Sequence, residues 1–147
     1  MSLIGRLYED LKISLKKGEK ERLSTIRLLI NAIKQEEIVL KREITEDEEI
    51  NVLNRALKQR NEAISEYKRV NREDLAKKEE TEKKIIESYL PSPLSEDEIK
   101  ECIKAVIKET NAEGIKDFGK VMKGVITRVK GRADGKFVQM LVREMLS

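Results

Sequence analysis

The sequence predicts an all-α protein, on three observations. Aromatic residues make up 3% of the chain, with no Trp, which starves a β-sheet of its preferred side chains, whereas the abundant Lys, Glu, Leu and Ile suit helices. Turn formers are scarce, with 7 Gly and 2 Pro in 147 residues. Apolar residues recur at three, four and seven positions along nearly every segment, the period of a half-buried helix.

Taken in order, Leu3, Leu7, Leu11 and Leu15 form a first stripe and Lys17-Gly18 a stop; Leu23, Ile26, Ile30 and Ile33 form a second. Together they predict an opening helical hairpin. Thr45 and Glu48 make a capping box for a third helix carrying Ile50, Leu53, Leu57, Ile64 and Tyr67. Asn71-Arg-Glu-Asp74 interrupts the pattern, and a more polar fourth helix runs to about Leu90. Leu90-Pro-Ser-Pro-Leu94 holds both prolines, each of which disfavours helical geometry before it, so the expected organisation is two helical subdomains, 1–90 and 94–147. Ser95 and Glu98 then cap a helix striped by Ile99, Cys102, Ile103, Val106 and Ile107, ended by Asn111 to Gly114. Two more helices are expected, about 117–130 and 135–146.

Charge is plentiful but balanced: 31 Lys+Arg against 28 Asp+Glu, a net +3. The chain has no His and one Cys, so His-based catalysis, zinc-type His/Cys sites and an intramolecular disulfide are excluded. Cys102 lies on a core stripe and reads as a packing thiol. No window approaches 18 consecutive apolar residues, so no membrane span and a cytoplasmic location are expected.

The balance is uneven along the chain. Residues 1–113 hold 23 basic and 25 acidic residues, and residues 114–147 hold 8 and 3. Between Asp117 and Asp134 stand Lys120, Lys123, Arg128, Lys130 and Arg132, with no carboxylate among them. At 100° per residue, Lys120, Lys123, Thr127 and Lys130 share a sector of roughly 80° opposite Phe118, Val121, Met122, Val125 and Val129. Such a field attracts phosphates, and Arg132 and Lys136 flank the start of the last helix, where free backbone N–H groups also favour an anion. Solvated lysines on any amphipathic helix are the bland alternative. Without aromatics on this face, contact through backbone and shape is expected rather than base stacking.

Several other patterns carry less. Gly114 to Val121 copies P-loop spacing but puts Val where a Ser/Thr should bind magnesium. Asp134 reads as a helix N-cap and Glu46-Asp-Glu-Glu49 as an acidic first turn. Arg60, at the edge of an apolar seam, reads as an interhelical salt bridge in preference to an anion contact.

Gly119-Lys-Val-Met122, Gly131-Arg-Ala-Asp-Gly-Lys136, Lys58-Gln-Arg60, Arg72-Glu-Asp-Leu75 and Tyr89-Leu-Pro91, in this order, resemble the YqeY family of bacterial proteins across essentially the whole chain. That family is similar, in its C-terminal part, to the tail domain of GatB, a subunit of the amidotransferase that corrects mischarged Glu-tRNA and Asp-tRNA. The resemblance implies the GatB/YqeY-type multihelical fold with two different helical subdomains. It also implies tRNA as the anion, a setting in translation, and a synthetase or amidotransferase as partner. No catalytic residue, metal or cofactor is implied, and a family label of carbon–nitrogen ligase with glutamine as amido donor would be inherited by association. The expected function is therefore a non-catalytic tRNA-binding module, with Lys120, Lys123, Lys130, Arg132 and Lys136 on phosphates and Gly119, Gly131 and Gly135 allowing close approach. A protein-interaction adaptor using the first four helices is the alternative.

Overall fold

A computed structural model describes residues 2–129 and 131–147. Seven α-helices and one 3-10 turn make up the regular structure of the described residues, with no strand among them: α1 (Leu3–Lys17), α2 (Lys20–Leu40), α3 (Glu46–Arg69), α4 (Glu73–Glu87), α5 (Glu96–Thr110), the 3-10 helix (Ile115–Asp117), α6 (Phe118–Val129) and α7 (Gly135–Leu146). The protein is all-α. It divides into two compact units, Met1–Leu90 and Pro91–Ser147.

Local signals set most of the boundaries. Both capping boxes form: the Thr45 hydroxyl accepts from Glu48 N–H and the Ser95 hydroxyl from Glu98 N–H, while each glutamate accepts from its cap's own N–H. Gly18 (φ 71°), Asn71 (φ 59°) and Asn111 (φ 52°) take left-handed conformations just where helices end, which a glycine adopts freely and an asparagine more easily than most side chains. α4 stops at Glu87, short of the expected Leu90, and a one-turn 3-10 helix occupies 115–117 where only a helix end was anticipated.

In the first unit α1 packs on α2 and α3 on α4, around Leu7, Ile26, Leu29, Ile33, Leu53 and Ile86. The expected Leu3–Leu15 stripe only half holds, since Leu3 and Leu7 are buried but Leu15 is 61% exposed. Four-residue steps advance 400° rather than 360°, so each leucine drifts about 40° and Leu15 ends about 120° away from Leu3. Ser14 takes the buried line instead. Tyr89, just past α4, is buried and donates its hydroxyl to the Asp10 carboxylate on α1, with Arg22 of α2 3.7 Å from the same carboxylate. Burial, followed by that hydrogen bond, pushes the phenol's pKa well above its ordinary value. Arg60 fulfils the structural expectation. Its Nε lies 2.8 Å from Glu82 and 3.5 Å from Glu79.

The second unit is a three-helix cluster of α5, α6 and α7 closed over Ile103, Val106, Val121, Val125, Val138 and Leu141. Leu94 N–H donates to Arg132 C=O at 2.8 Å, pinning the segment before α5 to the turn before α7. Cys102 is half-buried in this cluster, and burial raises its thiol pKa.

Candidate functional site

Three valines at four-residue steps, Val121, Val125 and Val129, turn one face of α6 into the core. That choice leaves Lys120, Lys123 and Thr127 outward, and all three are exposed. Neither lysine has an ion-pair partner among the described residues, and Thr127 satisfies its hydroxyl on Lys123 C=O at 3.0 Å. Lys130 lies outside the described residues.

On α7, Val138, Leu141 and Val142 face the core and Lys136 is exposed, its ammonium likewise unpaired among the described residues. One expectation changes here. The start of α7 is not an open anion site, because the Asp134 side chain already accepts from Lys136 N–H at 3.3 Å. A carboxylate resident at the helix N-terminus competes with any incoming anion.

The remaining cations are partly engaged. Arg132 donates from Nε to Ser92 C=O at 2.8 Å and adjoins Glu98, whose carboxyl is held below its ordinary pKa first by the Ser95 cap and then by Arg132's charge. Arg128 pairs with Glu109 of α5. These acids belong to the same unit: residues 91–113 carry six acidic and three basic side chains, against three and eight in 114–147. α5 therefore answers part of the positive charge, on the flank of α6 that faces it. Lys120, Lys123 and Lys136 escape it.

The glycines divide differently from expectation. A Cβ at Gly119 or Gly135 would meet nothing within 4 Å, so packing within the protein requires neither. Gly131 has φ 75°, which makes it a helix stop. Helix approach depends on Gly124, where an added Cβ would fall 2.8 Å from Val106 Cγ1. Sequence reasoning also passed over Arg143. Exposed on α7, its guanidinium lies 4.9 Å from the Phe118 ring centroid, and its seven-residue spacing from Lys136 was the available signal.

Nothing among the described residues groups three or more His, Cys, Asp or Glu side chains as a metal site, and no described helix is long and apolar enough to cross a membrane. The Gly114–Val121 segment forms a 3-10 turn and the start of α6, with Lys120 pointing to solvent. What the arrangement does chemically is present three ammonium groups, unpaired among the described residues, and a stacked guanidinium on two adjoining helices.

Fold and face together define a class: all-α proteins of two helical units, the second carrying its positive charge outward. The chain belongs to the YqeY family, whose model, described as Yqey-like protein, matches residues 4–146. Among curated proteins it is similar to fungal proteins named Altered inheritance of mitochondria protein 41, mitochondrial. The one from Pyrenophora tritici-repentis is 29% identical over 148 residues, covering 98% of this chain and 81% of the relative. Those from Clavispora lusitaniae and Vanderwaltozyma polyspora are 36% and 38% identical, covering 74% and 58% of this chain and 66% and 47% of the relatives. The chain thus spans about half to four-fifths of the curated relatives it matches. These names, all of mitochondrial proteins of fungi, overturn two expectations drawn from sequence: the setting in bacterial translation, and a cytoplasmic location. Amino-acid composition holds no record of compartment, and the absence of an apolar span bears on membranes alone.

Proposed function

We propose that the C-terminal unit binds tRNA through its phosphate backbone and acts by binding rather than by chemistry, as an accessory to an amidotransferase or aminoacyl-tRNA synthetase. The observation that supports this reading is that Lys120, Lys123 and Lys136 stand exposed and unpaired among the described residues, while α5 engages the neighbouring flank of α6 through a single pair, Glu109 with Arg128. The family's likeness to the GatB tail supplies tRNA as the ligand, and the partner enzyme follows from that likeness alone. Arg143 joins the three lysines as a fourth phosphate contact. Four neutralised phosphates contribute about 2.8 to 3.6 to the steepness of the log–log salt slope by counterion release.

The test is a mobility-shift titration of the full chain with total tRNA between 50 and 200 mM salt. The Lys120→Ala/Lys123→Ala/Lys136→Ala variant should melt like the parent and bind at least tenfold more weakly. Equal retention of tRNA by variant and parent would remove the reading.

A further inference from the structure

A second cationic face lies on the first unit, along the outside of α2. At 100° per residue, Lys20, Ser24, Arg27, Asn31, Lys34 and Gln35 fall within a sector of roughly 100°, and all six are exposed. The three cations are seven residues apart, which sets them about 10 Å from one another along the axis. No carboxylate shares the sector. Glu36 is turned to Arg55 at 3.1 Å and Glu37 accepts from Ile44 N–H at 3.1 Å, while Glu21 lies on the flank of the first turn. Lys20 and Arg27 have no ion-pair partner among the described residues, and the Lys34 ammonium lies 5.5 Å from the Tyr8 ring centroid. A shallow groove runs along the helix between Lys20, Leu23, Ser24, Arg27, Leu28 and Asn31.

The chemistry of the sector selects its ligand. Lys, Arg, Ser, Asn and Gln are the side chains that donate to phosphate and sugar oxygens. A lipid surface would ask for a continuous apolar face below the cations. An acidic partner helix would ask for apolar anchors at three- and four-residue spacing, yet Ser24, Asn31 and Gln35 occupy that line, and the exposed aliphatics on and beside it, Leu28, Ile38 and Val39, leave a ten-residue gap after Leu28.

We propose that the outer face of α2 is a second phosphodiester-binding surface for RNA, built on residues separate from those of α6 and α7. The inference rests on the proposed function only for the class of ligand.

The experiment compares the full-length parent, a Lys20→Gln/Arg27→Gln/Lys34→Gln variant and a Lys120→Gln/Lys123→Gln/Lys136→Gln variant, by filter binding to total tRNA across a salt series. Replacing the α2 cations should shallow the log–log slope by about two to three, the share of three phosphates, and weaken binding at least tenfold at 100 mM salt. Arg27→Glu alone should weaken it in the same direction, and circular dichroism melts verify that each variant is folded. An α2 variant with parental slope and affinity, beside a C-terminal variant that has lost binding, overturns this inference alone. Absence of binding by the parent overturns both readings. Loss in the α2 variant only supports this surface and overturns the C-terminal one. Should the α2 variant keep tRNA but lose sedimentation with phosphatidylcholine/phosphatidylserine vesicles that the parent shows, the face belongs to lipid and the inference fails.

Discussion

Gly124 of α6 approaches Val106 of α5 so closely that a Cβ on the glycine would stand 2.8 Å from Val106 Cγ1. Glycine inside a helix costs about 1 kcal/mol against alanine, so its presence there follows from the contact rather than from helix formation. Gly124→Ala gains that propensity and incurs overpacking of about 1–3 kcal/mol. A net destabilisation of about 1 kcal/mol is expected in urea unfolding. Combining it with Val106→Ala gives the methyl room, so the double variant should be more stable than the two single losses summed, by about 1 kcal/mol. Simple additivity would show that the contact does not govern the position.

Arg60 sits between two carboxylates in a half-dry site, its side chain 17% exposed, with Glu82 and Glu79 at 15% and 20%. The approach to Glu82 is a charge contact rather than an aligned hydrogen bond. Removing the cation leaves two acids facing each other, so Arg60→Ala should cost about 2–3 kcal/mol, somewhat less than for a fully buried pair. Glu79 is held above its ordinary carboxylate pKa by burial first and by Glu82's charge second. A raised folded value means that stability is present at low pH and lost as pH rises through that value. Glu79→Gln should therefore stabilise relative to the parent at pH 7, with the advantage shrinking toward pH 4. A constant difference across that range would refute the linkage.

At Glu48 the sign reverses. Arg42 grips its carboxylate with two contacts of 2.7 and 2.8 Å while Thr45 N–H and hydroxyl donate at 3.0 and 2.9 Å. Those bonds, Arg42's first, lower the pKa from its ordinary 4.5 to about 2. Stability from this group is present above pH 4.5 and lost as pH falls toward 2. Glu48→Gln should flatten the acid limb of a pH–melting curve in that window, and an unchanged limb would count against the assignment.

Signals confined to a few neighbouring residues were legible in the sequence. The Thr45 and Ser95 boxes and the Asp134 cap are read within four residues, because each satisfies backbone N–H groups of its own helix. Two kinds of feature escaped. Leu15 leaves the buried line because a strict four-residue repeat drifts off the helical period. Gly124 escaped because its requirement is written in Val106, eighteen positions away on another helix. The candidate face was legible as a run of cations, but not which of them α5 would engage: Glu109 takes Arg128 through a tertiary contact that periodicity does not reveal.

Arg132 and Lys136 are four residues apart, and the sequence offered both as phosphate contacts; the structure gives them different work. Arg132 Nε holds Ser92 C=O at 2.8 Å and its own carbonyl receives Leu94 N–H at 2.8 Å, whereas Lys136 spends only its backbone N–H, on Asp134. Truncating the arginine removes a charged donor from a backbone carbonyl, a loss of about 1–2 kcal/mol, so Arg132→Ala should lower the unfolding midpoint of the protein. Arg132→Lys should restore little of it, since an ammonium lacks the planar donor set that reaches Ser92. Lys136→Ala should leave the midpoint within about 0.5 kcal/mol of the parent, as for other solvated surface positions, while weakening tRNA binding and shallowing its salt slope by about 0.7–0.9. Parallel melting and binding measurements on the two single variants separate the roles. If Lys136→Ala destabilises as much as Arg132→Ala, the lysine is structural and drops out of the candidate face.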